Sequence, residues 1–134
     1  MSNGIYIASR ASIPERSAAW RKLRDDGWHI ISSWIDEAGE GQTEDMADLW
    51  SRIEREVCCA ERLILYVEPG DFPLKGALIE VGMALASEIK IFVLAPRVEL
   101  EPWSCRPIGS WMHHPLVTRV HSMEEALDGA PRRS

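Results

Sequence analysis

The chain has 134 residues, enough for one domain with a substantial core, and its 46% hydrophobic and 27% charged content is that of an ordinary globular protein. A formal charge of −6 argues against a general nucleic-acid binder, which needs a basic surface, but leaves room for a small phosphorylated ligand held by one or two arginines. No apolar run reaches the roughly 20 residues needed to span a membrane, and the N-terminus lacks the basic-then-apolar pattern of a signal peptide.

In chain order, Gly4–Ala8 (GIYIA) reads as a short apolar strand and Ser9–Pro14 as a polar turn, with Pro14 suited to a first helical turn. Ser17–Asp26 carries Ala18, Ala19, Trp20 and Leu23 at helical spacing and ends at Gly27, a natural residue just past a helix. Trp28–Trp34 is strand-like and Asp36–Gly41 an acidic loop. Thr43 is placed to cap an amphipathic helix whose stripe is Met46, Leu49, Trp50, Ile53 and Val57. Arg62–Val67 is a third strand, Lys75–Ser87 a helix and Lys90–Ala95 a fourth strand. Pro96–Pro115 is rich in Pro and Trp and has no clear periodicity. Leu116–Val120 suggests a fifth strand, and Ser122 with Glu125 three residues on suggests a capping box opening a helix to Leu127. The tail reads as disordered from residue 131, which makes residues 1–130 a single domain.

Strands alternating with helices predict an α/β fold, a Rossmann-like three-layer sandwich around a parallel five-stranded sheet in the flavodoxin-like order 2-1-3-4-5. Such sheets bind ligands beyond the carboxyl ends of their strands. Glu80 falls there, one carboxylate in the otherwise apolar helix GALIEVGMALA. A buried carboxylate is costly unless paired or useful. Its apolar neighbours Leu78, Ile79, Val81, Met83 and Leu85 predict a largely buried helix, and the small residues Gly76, Gly82, Ala84 and Ala86 permit close approach. The helix dipole would favour the ionised form of Glu80. The plainer alternative is a solvated or salt-bridged helix glutamate.

The loop after the first strand gathers Ser9, Arg10, Ser12 and Arg16 ahead of a helix, a combination suited to a phosphate, although both glycine-rich phosphate fingerprints are absent. A plain polar connection is the alternative. Six tryptophans are many for this length; Trp34, Trp103 and Trp111 could stack on a base or fill core and interface. His113 and His114 could move a proton near neutral pH or simply be exposed. Cys58 and Cys59 are adjacent and Cys105 stands alone; this is neither a disulfide framework nor a metal spacing, and it predicts a reducing, cytoplasmic compartment and no metal.

Tyr6 on the first strand, together with the Gly76, Glu80, Gly82, Ala84, Ala86 block and the flanking AERLIL and KIFVL strands, resembles the nucleoside 2-deoxyribosyltransferase family and its relatives, the 2′-deoxynucleoside 5′-phosphate N-hydrolases. The likeness runs from about Gly4 to Pro96. It implies cleavage or transfer at the N-glycosidic bond of a nucleoside or its 5′-monophosphate, with no cofactor. Glu80 would attack the anomeric carbon to form a glycosyl-enzyme intermediate, as in retaining glycosidases. Tyr6 would position Glu80, and Ser9, Arg10 and Arg16 would meet a 5′-phosphate. The family's aspartate for the leaving base falls on Ile53, so that acid is shifted to Glu54 or Asp48, or missing, and Glu61 replaces a usual aspartate at the strand start. Asp71 and Gly76 are further positions for substrate contact. The family also implies a homo-oligomer, by default a dimer, that completes its sites across subunits. Two rival readings stand beside this one: a nucleotide-binding or sensing module without turnover, and an NAD-cleaving glycohydrolase. Partners are expected to be small nucleosides or nucleotides, with neither a nucleic-acid polymer nor a membrane.

Overall fold

A computed structural model describes residues 3–37 and 43–133. Four parallel strands, β1 (Ile5–Ala8), β2 (Arg62–Tyr66), β3 (Lys90–Leu94) and β4 (Val117–Val120), lie side by side in the order β1-β2-β3-β4. The helices flanking them are α1 (Pro14–Asp25), α2 (Met46–Cys58), α3 (Gly76–Ala86) and α4 (Met123–Leu127). The register sets Ile5 opposite Arg62 and Arg62 opposite Lys90. The runs IYIA and LIL are buried on both faces, as expected of strands covered by helices on either side.

The sheet has four strands rather than the predicted five. The place beside β1 is taken by a single parallel bridge between Ile5 and Ile30, in the middle of the segment read as a strand. Two ladder bonds form there, Ile5 N–H to His29 O at 2.8 Å and Ile31 N–H to Ile5 O at 2.9 Å. Side chains then take over: Ser32 Oγ accepts the Ile7 N–H at 3.2 Å and Trp34 Nε1 donates to Ile7 O at 2.8 Å. With the next two β1 groups satisfied by side chains, the backbone has no partner to follow, and it turns into a 3-10 helix at Ser33–Asp36. That turn buries Trp34 and Ile35 against the sheet.

Gly4 makes this close approach sterically possible. A Cβ there would lie 2.4 Å from Ile31 Cγ2 and 2.6 Å from the His29 carbonyl oxygen, a backbone atom that cannot swing aside. Gly4→Ala is therefore expected to lower unfolding free energy by about 1–3 kcal/mol in urea denaturation, through overpacking.

The helix ends differ in detail from the sequence reading. Asp45 caps α2 by accepting the Asp48 N–H, in place of Thr43. Gly27 does lie just past α1, at φ +105°. Ser122 accepts the Glu125 N–H as read, but the Glu125 carboxylate accepts from His121 N–H at 3.1 Å, so the box is shifted by one residue on its return side. Residues 131–133, read as tail, are held: His29 N–H donates to Pro131 O, Arg133 N–H to Gly27 O, and the Arg132 guanidinium lies 4.4 Å from the centre of the Trp28 ring. Residues 38–41 of the predicted acidic loop and Ser134 lie outside the described residues. Among the described residues no helix is long and apolar enough to cross a membrane.

Candidate active site

Three chain segments converge beyond the carboxyl ends of β1 and β2. They are the loop after β1 (Ser9 to Ser12), the loop after β2 (Asp71 to Lys75) and the first two turns of α3. The α2 stripe closes the remaining side with Leu49, Trp50 and Ile53, and Trp34 enters from the 3-10 turn. The cavity, open on one side to solvent, is about 420 Å³, within the range of small-molecule sites.

Glu80 lines this cavity and is only 8% exposed. It sits one turn into α3, on the side that faces the sheet with Val81 and Ala84. The rest of that helix departs from expectation: Leu78 and Ile79 are 39% and 54% exposed, and Gly82 has nothing near its Cα substituent position. So α3 is half-buried, and the buried half is the one that carries the carboxylate.

Beneath Glu80 lies Tyr6, fully buried on β1. Among the described residues neither Tyr6 Oη nor Glu80 Oε2 has a hydrogen bond of good geometry, yet both are sealed from solvent. Each strongly affects the other's ionisation. Burial first, and then the adjacent Glu80 charge, push the Tyr6 phenol far above its ordinary range, so it stays protonated and can only donate to the carboxylate. Burial likewise pushes the Glu80 carboxyl up to about 7, opposed by the Tyr6 hydroxyl and reinforced by Glu56. Desolvation thus outweighs the helix dipole, which by itself favours the ionised form of Glu80.

A group whose native pKa is raised gives its stabilising contribution below its unfolded pKa, near 4.5, and loses it as pH rises through about 7. Removing the charge should reverse this. Glu80→Gln is expected to gain about 2–3 kcal/mol on the wild type between pH 5 and pH 8, read as the difference of their urea unfolding curves.

Glu56 was not singled out by the sequence. It is half-buried on α2 and accepts both the Ser33 N–H at 3.1 Å and the Ser33 hydroxyl at 2.6 Å. Burial raises its pKa despite those bonds. It ties the 3-10 turn, and hence Trp34, to α2. Only its position one turn beyond Arg52 on the polar side of the stripe distinguished it, which is a common pattern for a solvated residue.

Other positions read from the sequence divide. Ser9 lines the cavity but its Oγ accepts from Trp20 Nε1 at 2.9 Å. Arg10 lines it and donates to Ser12 Oγ and Gly70 O. Asp71 lines it too, buried, with Oδ2 accepting from Arg16 and from the Glu68 N–H. Arg16 is buried, paired with Asp71 and Glu68, and faces a second, apolar cavity beside Trp20, Leu23 and Met123 instead. Gly76 lies under Trp50: a Cβ there would be 3.4 Å from Trp50 Cη2 and 3.9 Å from Glu80 Oε1.

The two acids considered for the leaving base are not in the cavity lining. Asp48 is exposed and paired with Arg52 at 2.8 Å, and Glu54 is exposed on the outer face of α2. Glu61 is likewise occupied, with Arg62 at 2.6 Å. Trp103, 84% exposed, and His113 and His114 lie on the late loop, outside the cavity lining. The aromatic residues that do line it are Trp34, Trp50, Tyr66 and Phe72. In the sequence Trp50 is one member of an apolar helix stripe; that stripe serves the core at Ile53 and Val57 and the cavity at Leu49, Trp50 and Ile53. Among the described residues no cluster of three or more His, Cys, Asp or Glu side chains is spaced to hold a metal ion.

No protein-family model matches the chain, and no curated protein sequence matches it.

Proposed function

We propose that the protein cleaves or transfers the N-glycosidic bond of a nucleoside or its 5′-monophosphate, with Glu80 as the nucleophile on the anomeric carbon. The observation that carries this reading is one carboxylate, desolvated and apposed to a protonated tyrosine, on the wall of an aromatic-lined cavity at the strand ends. Buried acids with raised pKa values cluster at functional sites, and such a cavity is where small ligands bind, which supports this reading. Tyr6 would orient the carboxylate and stabilise its charge as it ionises, and the aromatic walls suit a planar heterocycle. The exposed Arg10 and Lys75 on the rim are placed for an anionic end of the substrate. A homodimer that shares the site, and a cytoplasmic setting, remain part of this proposal.

The test is chromatographic detection of free base from ribo- and deoxyribonucleosides and their 5′-monophosphates, with and without an acceptor base. Release by the wild type and not by Glu80→Gln supports the reading. A second reading, a nucleotide-binding module without turnover, is favoured by the outward placement of Asp48 and Glu54. Micromolar binding with no base released over hours would decide for it.

A further inference from the structure

We propose that the preferred substrates are N-glycosides whose heterocycle carries a fixed positive charge, such as ribosylpyridinium or N7-alkylpurine nucleosides. This rests on the N-glycosidic reading above and names the substrate class of that same site.

When C1′–N breaks, the bonding pair stays on the base nitrogen. A neutral base then leaves as an anion unless an acid protonates it, which is why general acids accompany such reactions. Among the described residues, the acids read as candidates for this step are engaged elsewhere. Asp48 is paired with Arg52 on the outer face of α2, and Glu54 is exposed there. Asp71 does reach the cavity, but its Oδ2 is occupied by Arg16 and by the Glu68 N–H. Glu80 cannot attack as a carboxylate and donate a proton in the same step. A cationic heterocycle removes the need, because the departing pair neutralises its charge and a neutral base leaves.

The cavity walls also favour a cation. Trp34, Trp50, Tyr66 and Phe72 line the same cavity as Glu80. Aromatic faces around one carboxylate form a site for a cation. Trp50 and Glu80 meet at the start of α3: a Cβ on Gly76 would touch both, 3.4 Å from Trp50 Cη2 and 3.9 Å from Glu80 Oε1.

The steps balance. A Glu80 oxygen bonds to C1′ as C1′–N breaks, and the pair returns the ring nitrogen to neutrality. Water then adds at C1′, the ester C–O bond breaks, Glu80 leaves as carboxylate and the water's proton goes to solvent. Hydrolysis of a cationic substrate therefore releases one proton per turnover, whereas a neutral nucleoside yields protonated base and releases none.

The experiment compares nicotinamide riboside and 7-methylguanosine with uridine and guanosine near neutral pH, with rates corrected by Glu80→Gln and proton release followed in weak buffer. The expected result is kcat/KM at least about 100-fold higher for the cationic pair, with stoichiometric acidification for nicotinamide riboside. In Trp50→Leu, with its fold checked by circular dichroism, the ratio should narrow about fivefold. Comparable rates on neutral and cationic substrates would overturn the inference and leave the N-glycosidic reading standing. No Glu80-dependent cleavage of either class would overturn both.

Discussion

Glu80→Gln is expected to lose base release by about 10³-fold or more while folding normally and still binding ligand. The amide has nearly the volume of the carboxyl and keeps an acceptor for the Tyr6 hydroxyl, so the cavity shape survives. What it lacks is the anionic oxygen that, in the proposed reaction, bonds to the anomeric carbon. Glu80→Asp keeps the charge but withdraws it by one methylene, and intermediate activity is expected because attack depends on sub-ångström placement. The wild-type rate should also carry the signature of the buried carboxyl. Burial raises the Glu80 pKa to about 7, and only the ionised form attacks, so glycosylation should climb with pH through that value and level off above it. A rate flat from pH 5 to pH 8, or full activity in Glu80→Gln, would remove Glu80 from the chemistry.

How much of this site was legible in the sequence depended on whether a residue's role was set by its own segment. Glu80 stood out because an acid in an apolar helix after an apolar strand is a local conflict, and conflicts of that kind mark function. Tyr6 was placed by the same strand-first pattern and a family resemblance. The strand alternation likewise gave β1 to β4 to within a residue or two. The second strand failed for a reason no period could reveal: Ser32 and Trp34 use their side chains to satisfy Ile7, 25 and 27 residues away, and so end the ladder. The pairing of Arg16 was hidden for the same reason. As part of a βα loop it reads as an anion grip, but Asp71, 55 residues on, claims it. Trp50 was hidden because a residue that lines a cavity and one that fills the core share the same helical spacing. The direction of the Glu80 shift was misjudged for a related reason. Dipole position can be read from a helix start, but desolvation depends on what the remainder of the chain packs above it.

Arg16→Ala is expected to destabilise the fold by about 3–5 kcal/mol, the largest stability effect of the substitutions considered. Arg16 and Asp71 are both nearly inaccessible, with side chains 9% and 3% exposed, so solvent screens their attraction little. Removing the guanidinium leaves a carboxylate buried without its counter-ion. Asp71 also accepts the Glu68 N–H at 2.8 Å, which closes the Pro69–Asp71 turn on the cavity's edge. Arg16 further stacks over the Tyr66 ring at 5.1 Å and pairs with Glu68 at 3.3 Å, so its loss also loosens the wall that Tyr66 provides. For a domain of this size such a loss corresponds to a drop in Tm of roughly 10–18 °C. The control that separates charge burial from lost packing is the double variant Arg16→Met with Asp71→Asn. Met refills most of the arginine's apolar stem, and Asn keeps an acceptor for Glu68 without a charge. If the cost lies in the stranded carboxylate, the double variant recovers more than half of the lost stability. If it is no more stable than Arg16→Ala, the pair matters through its geometry, and the turn that carries Asp71 into the cavity depends on the ion pair itself.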